Sequence, residues 1–282
     1  MKFINIAEEQ LSNGIEKAFK NHEDFFKEYF STLEDKKQFH ENIEVILRDT
    51  NIDLTKINIG LLTKRLSSLM RLLKRSVKKI VIPDVIFFVG LNNFDGHGLI
   101  LNGKPYIFLN MTRMNEMLEN KSFIIDLHLL HETFHAIHYY HSPSFYLRNY
   151  KSTEHHYLKR MLAEGVATYL SKDFKKASFD SALWLGLIDR EHFTEWVKNC
   201  TVMKRSMWEL IKNAIASNNF DVSLINTLFA VPGARQEDLV KGRFGYYYGT
   251  EIVRKVAEKE GLRILFLEYE EFRNYVEPYF KE

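Results

Sequence analysis

Leu130-His131-Glu132-Thr133-Phe134-His135 lies within a strongly helical, apolar run from Phe123 to Tyr140. On a helix, positions i and i+4 sit one turn apart on one face. Two imidazoles at that spacing can converge on one ion, with Glu132 on the adjoining flank as base for an attacking water. Glu164 follows in Leu162-Ala163-Glu164-Gly165-Val166-Ala167, inside a second helical run from Tyr157 to Leu170. HExxH followed by a downstream Glu is the sequence description of a zinc hydrolase site. The competing description is two core-packed histidines on a buried helix. It would leave Glu132 buried between them with no cation, which is costly.

The third ligand has two candidates. His128, His131, His135 and His138 fall within one helical face of about 80°, at ~100° per residue, so His138 competes with Glu164. Against His138, adjacent turns of one straight helix seldom wrap three ligands around a tetrahedral ion. His128 and His138 otherwise read as packed or supporting residues. His141, His155 and His156 read as solvent-facing.

Outward from this motif, the chain reads as a mainly helical α+β fold. It comprises a helical N-terminal part, a small, mostly antiparallel sheet, two helices carrying the metal site, and a helical C-terminal part. The expected division is residues 1–79 as a helical region and 80–282 as a catalytic region. Within the latter, the sheet spans 80–111, the site helices 120–172 and the C-terminal helices 176–282. Ile4, Leu11, Ile15, Phe19, Phe25 and Phe26 recur at helical spacing, and no proline precedes Pro83. Glu41 to Leu47 opens another helix, and Asp53 or Thr55 is a candidate cap for a third through Leu61, Leu66, Met70 and Leu73. Lys79 to Ile82 and Val85 to Val89 are β-branched and aromatic, bounded by Pro83 and Gly90. Asn92 to Gly98 is a turn signal, and Asn102-Gly103 between Leu99–Leu101 and Tyr106–Leu109 is a hairpin signal. Beyond Asp173, helical patterns return over Phe179–Ile188, His192–Ile215 and Tyr247–Glu260, broken by Pro232-Gly233.

Composition narrows the function classes. With 282 residues, 45% hydrophobic and 27% charged, the chain is globular rather than disordered. A net charge of +2 gives no general case for nucleic acid. The single cysteine, Cys200, rules out an intrachain disulfide framework and suits a reducing compartment. Acidic residues near the start break any signal-peptide core, and no apolar run approaches ~20 residues, so the expectation is a cytoplasmic protein without a membrane span. Lys64, Arg65, Arg71, Lys74, Arg75, Lys78 and Lys79 follow one another with no acidic residue between them. This basic stretch reads as a solvated helix face, the alternative being contact with an anionic surface.

Three stretches together resemble the gluzincin metallopeptidases, and more narrowly an uncharacterised bacterial family of predicted zinc-dependent proteases. They are Leu130 to His135, Leu162-Ala163-Glu164-Gly165-Val166-Ala167-Thr168-Tyr169, and Gly245-Tyr246-Tyr247-Tyr248-Gly249-Thr250-Glu251-Ile252-Val253. The sheet segment with Gly96 and Gly98 also fits, so the resemblance covers roughly residues 80 to 260. It implies one zinc ion (Zn2+) per chain, with His131 and His135 as ligands and Glu164 as the third. Glu132 would then be the general base. Tyr246 would donate to the oxyanion, although a tyrosine cluster is also a common packing element. The backbone at Phe108, Leu109 and Asn110 would receive an extended peptide or protein substrate, unless it is an ordinary core strand. Gly165 and Ala167 would let their helix approach the HExxH helix. The best-known gluzincins often carry Asp where this chain has Thr168, which leaves the support of the metal ligands open. The expected activity is zinc-dependent hydrolysis of a peptide bond. The runner-up is a non-hydrolytic metal-binding or regulatory protein on the same fold. A di-iron carboxylate protein needs two Glu-x-x-His motifs, and Glu132 to His135 is the only one here.

Overall fold

A computed structural model describes residues 1–32, 58–90, 95–233 and 235–281. The expected helix at Glu41–Leu47, the candidate caps Asp53 and Thr55, and Asn92 and Asn93 of the turn lie outside the described residues. The protein is mainly helical with one small sheet, an α+β fold. It divides into two compact units, Met1–Tyr140 and His141–Glu282.

In the first unit, β1 (Phe3–Asn5) leads into α1 (Ile6–Asn13), α2 (Ile15–Asn21) and α3 (Glu23–Thr32). After α4 (Ile59–Ser76) come β2 (Asp84–Phe88), β3 (Gly96–Leu101), β4 (Lys104–Asn110), α5 (Met111–Glu119) and α6 (Ile125–His141). The four strands are ordered β1-β2-β4-β3. β1 and β4 both run parallel to β2, and only the β3–β4 pair is antiparallel. The sheet is therefore mixed, not mostly antiparallel. Two pairings depart from the expectation: β4 inserts beside β2 in parallel, and Phe3–Asn5, too short to show an alternating pattern, adds a second parallel pair with a partner about 80 positions away. Lys79 to Ile82 form no strand. Lys79 takes a left-handed φ of 67°, and β2 begins only after Pro83.

β2 is central, so Val85, Ile86, Phe87 and Phe88 are all buried, which explains a continuous apolar run rather than alternation. Asn102 and Gly103, with φ of 49° and 71°, form the expected two-residue turn between β3 and β4. One sheet face meets the aromatic ridge of α3: Tyr29 packs 4.8 Å from Phe88 and 5.4 Å from Phe108, edge to face. Buried Gln10 of α1 closes the end of β2 in both directions. Its Nε2 donates to Val89 O at 2.9 Å, and Val89 N–H donates to its Oε1 at 2.7 Å. α4 starts one residue after Asn58, whose side chain accepts from Leu61 N–H at 2.8 Å, so Asn58 is its cap.

The second unit is helical: α7 (Arg160–Lys175), α8 (Phe179–Trp184), α9 (Arg190–Ala216), α10 (Val222–Phe229), α11 (Gln236–Leu239), α12 (Phe244–Glu260) and α13 (Tyr269–Lys281). One π-helical turn, His155–Lys159, precedes α7. Trp184 and Trp196 pack edge to face at 5.4 Å, and Trp196 Nε1–H donates to Gly242 O at 2.7 Å. α7 and α12 cross backbone to backbone. A Cβ on Gly249 would stand 1.9 Å from Met161 O, and one on Gly165 would stand 2.4 Å from Gly249 C. Gly165 was expected to serve an approach to the HExxH helix, but the neighbour it admits is Gly249 of α12. The two small residues recognise each other, and nothing local to either reveals that pairing.

Candidate metal centre

α6 is buried nearly all round, every residue from Leu127 to Tyr139 being shielded from water, polar ones included. A helix buried on every side needs partners for each polar group it carries. Thr133 satisfies itself by donating its hydroxyl to Leu129 O at 2.6 Å. His131 and His135 turn to one another, and Glu132 lies near His97 and His128.

His131 and His135 bring their Nε2 atoms to 3.0 Å, with ring centroids 4.6 Å apart. Two nitrogens bound tetrahedrally to one zinc at ~2.0–2.1 Å would be about 3.3 Å apart. The pair is thus within a few tenths of an ångström of ligand geometry. Glu132 is buried beside them. Its Oε2 lies 3.6 Å from His97 Nδ1, and its Oε1 lies 3.7 Å from His128 Nδ1. His128 Nδ1 also lies 3.8 Å from Asp95 Oδ2. Burial by itself pushes the Glu132 carboxyl up. The contact from His97 and the charge of His131, His128 and His135 outweigh it and hold the group at about 2. The direction is toward the carboxylate form that a general base requires.

His97 is the residue that sequence reasoning missed. Its place within Asn92 to Gly98 marks it only as part of a turn signal. It stands on β3, where a Cβ on Gly98 would lie 2.4 Å from Ala136 N and 2.7 Å from His135 C. Only glycine admits the α6 backbone this close to the strand. The close approach brings the His97 ring to 4.7 Å from that of His135 and its Nε2 to 3.1 Å from Tyr139 Oη. His97, Glu132 and His135 offer ligand atoms within 4.8 Å of one another, all buried, so this buried His/Glu group could hold a metal ion. A histidine flanked by glycines on a strand was the available signal. No such group among the described residues includes His138, which stacks on Tyr139.

The expected substrate platform is corrected. β4 lies between β2 and β3, so the backbone at Phe108, Leu109 and Asn110 is already paired on both sides. Asn110 is buried, and its Oδ1 accepts from Gly90 N–H at 3.1 Å and Thr112 N–H at 3.2 Å, joining the end of β2 to α5. Among the described residues, the edge strands are β1 and β3.

In the second unit, Glu164 is buried on α7, one turn before buried Thr168. Tyr246 is half-buried in the first turn of α12, with the Arg243 guanidinium 3.9 Å over its ring. Gly245 and Gly249 lie inside α12, packed on Phe229 and Met161. Tyr248 donates its hydroxyl to Cys200 O at 2.9 Å, a structural role. His141, His155 and His156 are half-buried, each with its ring against Phe266, Tyr269 and Phe220 respectively. No family model, curated protein or solved structure matches the chain.

Proposed function

We propose that this protein is a zinc-dependent peptide hydrolase, with His131, His135 and Glu164 as the metal ligands and Glu132 as general base. The observation that carries the proposal is the facing pair of Nε2 atoms, 3.0 Å apart, beside the buried Glu132 carboxylate. A zinc ion bound there would lower the pKa of a water toward ~7 and polarise the scissile carbonyl. Glu132 takes up the proton of the attacking water and returns it to the leaving amine. His97 and His128 flank the Glu132 carboxylate, at 3.6 and 3.7 Å. Tyr246 is proposed as the donor to the developing oxyanion, its ring held by Arg243. An extended peptide is proposed to add to the edge of β3, since β4 is interior.

A second reading is favoured by the His97–Glu132–His135 group, which lies wholly within the first unit. If Glu132 is itself a ligand, the protein binds metal without hydrolysing anything. Glu132→Gln separates the two readings. Under the hydrolase reading the variant keeps its zinc and loses about a hundredfold or more in cleavage of a peptide library. Loss of zinc from the variant would favour the binding protein, and undiminished cleavage would remove Glu132 as base.

A further inference from the structure

α4 turns one face to solvent. Its opposite face is fully committed, with Leu62, Leu66, Leu69, Met70 and Leu73 buried in the core. A helix with a filled apolar face normally presents only polar groups to water. Here Leu61 and Leu72 remain 48% and 50% exposed. They are eleven positions apart, which at ~100° and ~1.5 Å per residue puts them within about 20° of one line and about 16 Å apart along the helix. Lys64, Arg65, Arg71 and Arg75 flank that line within roughly 80°. Lys74, Lys78 and Lys79 extend the charge toward and past the helix end, and all seven cations are exposed. Arg65 pairs with Asp126 at 3.0 Å. Among the described residues, none of the other six makes an ion pair.

We propose that this face of α4 docks on the surface of an anionic lipid bilayer, with Leu61 and Leu72 entering the headgroup region and the flanking cations meeting lipid phosphates. A solvated face explains the cations but not two leucines aligned among them. Nucleic acid would satisfy the cations but offers no apolar layer to receive leucines, and the face carries no aromatic residue to stack on bases. Docking of this kind combines buried apolar area with attraction to anionic lipid. None of the residues involved belongs to the metal centre, so the inference stands apart from the proposed hydrolysis.

The test is sedimentation of the full chain with vesicles of phosphatidylcholine alone or with ~30% phosphatidylglycerol, in low and high salt. Binding is expected only to the anionic vesicles and should weaken as salt screens the charges. Lys64→Glu/Arg75→Glu should reduce binding roughly tenfold or more, since each surface cation contributes substantially near anionic lipid. Leu61→Ser/Leu72→Ser should also reduce it, which a purely electrostatic contact would not show. Circular dichroism melts check that both variants are folded. Absence of binding to anionic vesicles would overturn the proposal. So would leucine variants that bind like the parent, or equal binding to a single-stranded oligonucleotide abolished by the charge variant alone.

Discussion

Gly98→Ala is the sharpest perturbation of the way the site is assembled. The new Cβ would stand 2.4 Å from Ala136 N, against at least 3.4 Å for an ordinary contact, so about 1.0 Å must be recovered. The obstructing atoms are backbone of α6 at His135 and Ala136, not the end of a side chain that could swing away. Either β3 lifts from α6 or the helix retreats. Overpacking of this kind costs roughly 1–3 kcal/mol. At about 2–4 °C per kcal/mol for a protein of this size, the melting temperature should fall by roughly 2–12 °C. Zinc–nitrogen bonds tolerate only about 0.2 Å, so moving His135 by a comparable shift should weaken metal binding about tenfold or more. Gly60→Ala is the control: its nearest obstacle is the Asn58 side chain at 3.3 Å, and stability should change by less than about 1 kcal/mol. Thermal melts and competitive zinc titration of both variants make the comparison. A Gly98→Ala protein with parental melting temperature and parental zinc affinity would refute the claim that close approach of β3 places His135.

Zinc analysis by elemental spectrometry should show strong metal loss in His131→Ala and in Glu164→Ala. Full occupancy in Glu164→Ala with loss in His97→Ala would move the third ligand to β3. Tyr246→Phe should lower kcat with little change in KM or zinc content, by an amount typical of one oxyanion donor, about 2.7–4 kcal/mol. Tyr247→Phe is the activity control, and equal effects at both positions would make Tyr246 a packing residue. Gln10→Leu removes both bonds to Val89 and leaves its buried amide and carbonyl without that partner, so denaturant unfolding should show a loss of about 2–4 kcal/mol. A loss under about 0.5 kcal/mol would mean that Gln10 does not anchor the end of β2.

Features that depend on neighbours along the chain were legible from residue order. The helix carrying His131, Glu132 and His135 was legible because ligand spacing and helical pitch coincide. So was the β3–β4 hairpin, because two residues with positive φ can be recognised as Asn102-Gly103. The long C-terminal helices followed from apolar periodicity, as in α9 with Trp196, Cys200, Met207 and Ile211 buried. Tertiary structure alone decided what depends on distant segments meeting. Phe3–Asn5 is a strand only because β2 offers it a partner. β4 is interior because β2 and β3 take its two edges, which withdraws Phe108, Leu109 and Asn110 as a peptide platform. His97 reaches Glu132 because Gly98 lets β3 lie against α6, and Gly165 matters because Gly249 faces it. Local patterns encode backbone conformation, whose cost is settled within a few residues. Sheet order and backbone-to-backbone contact are settled by which buried surfaces fit, and no window along the chain contains both surfaces.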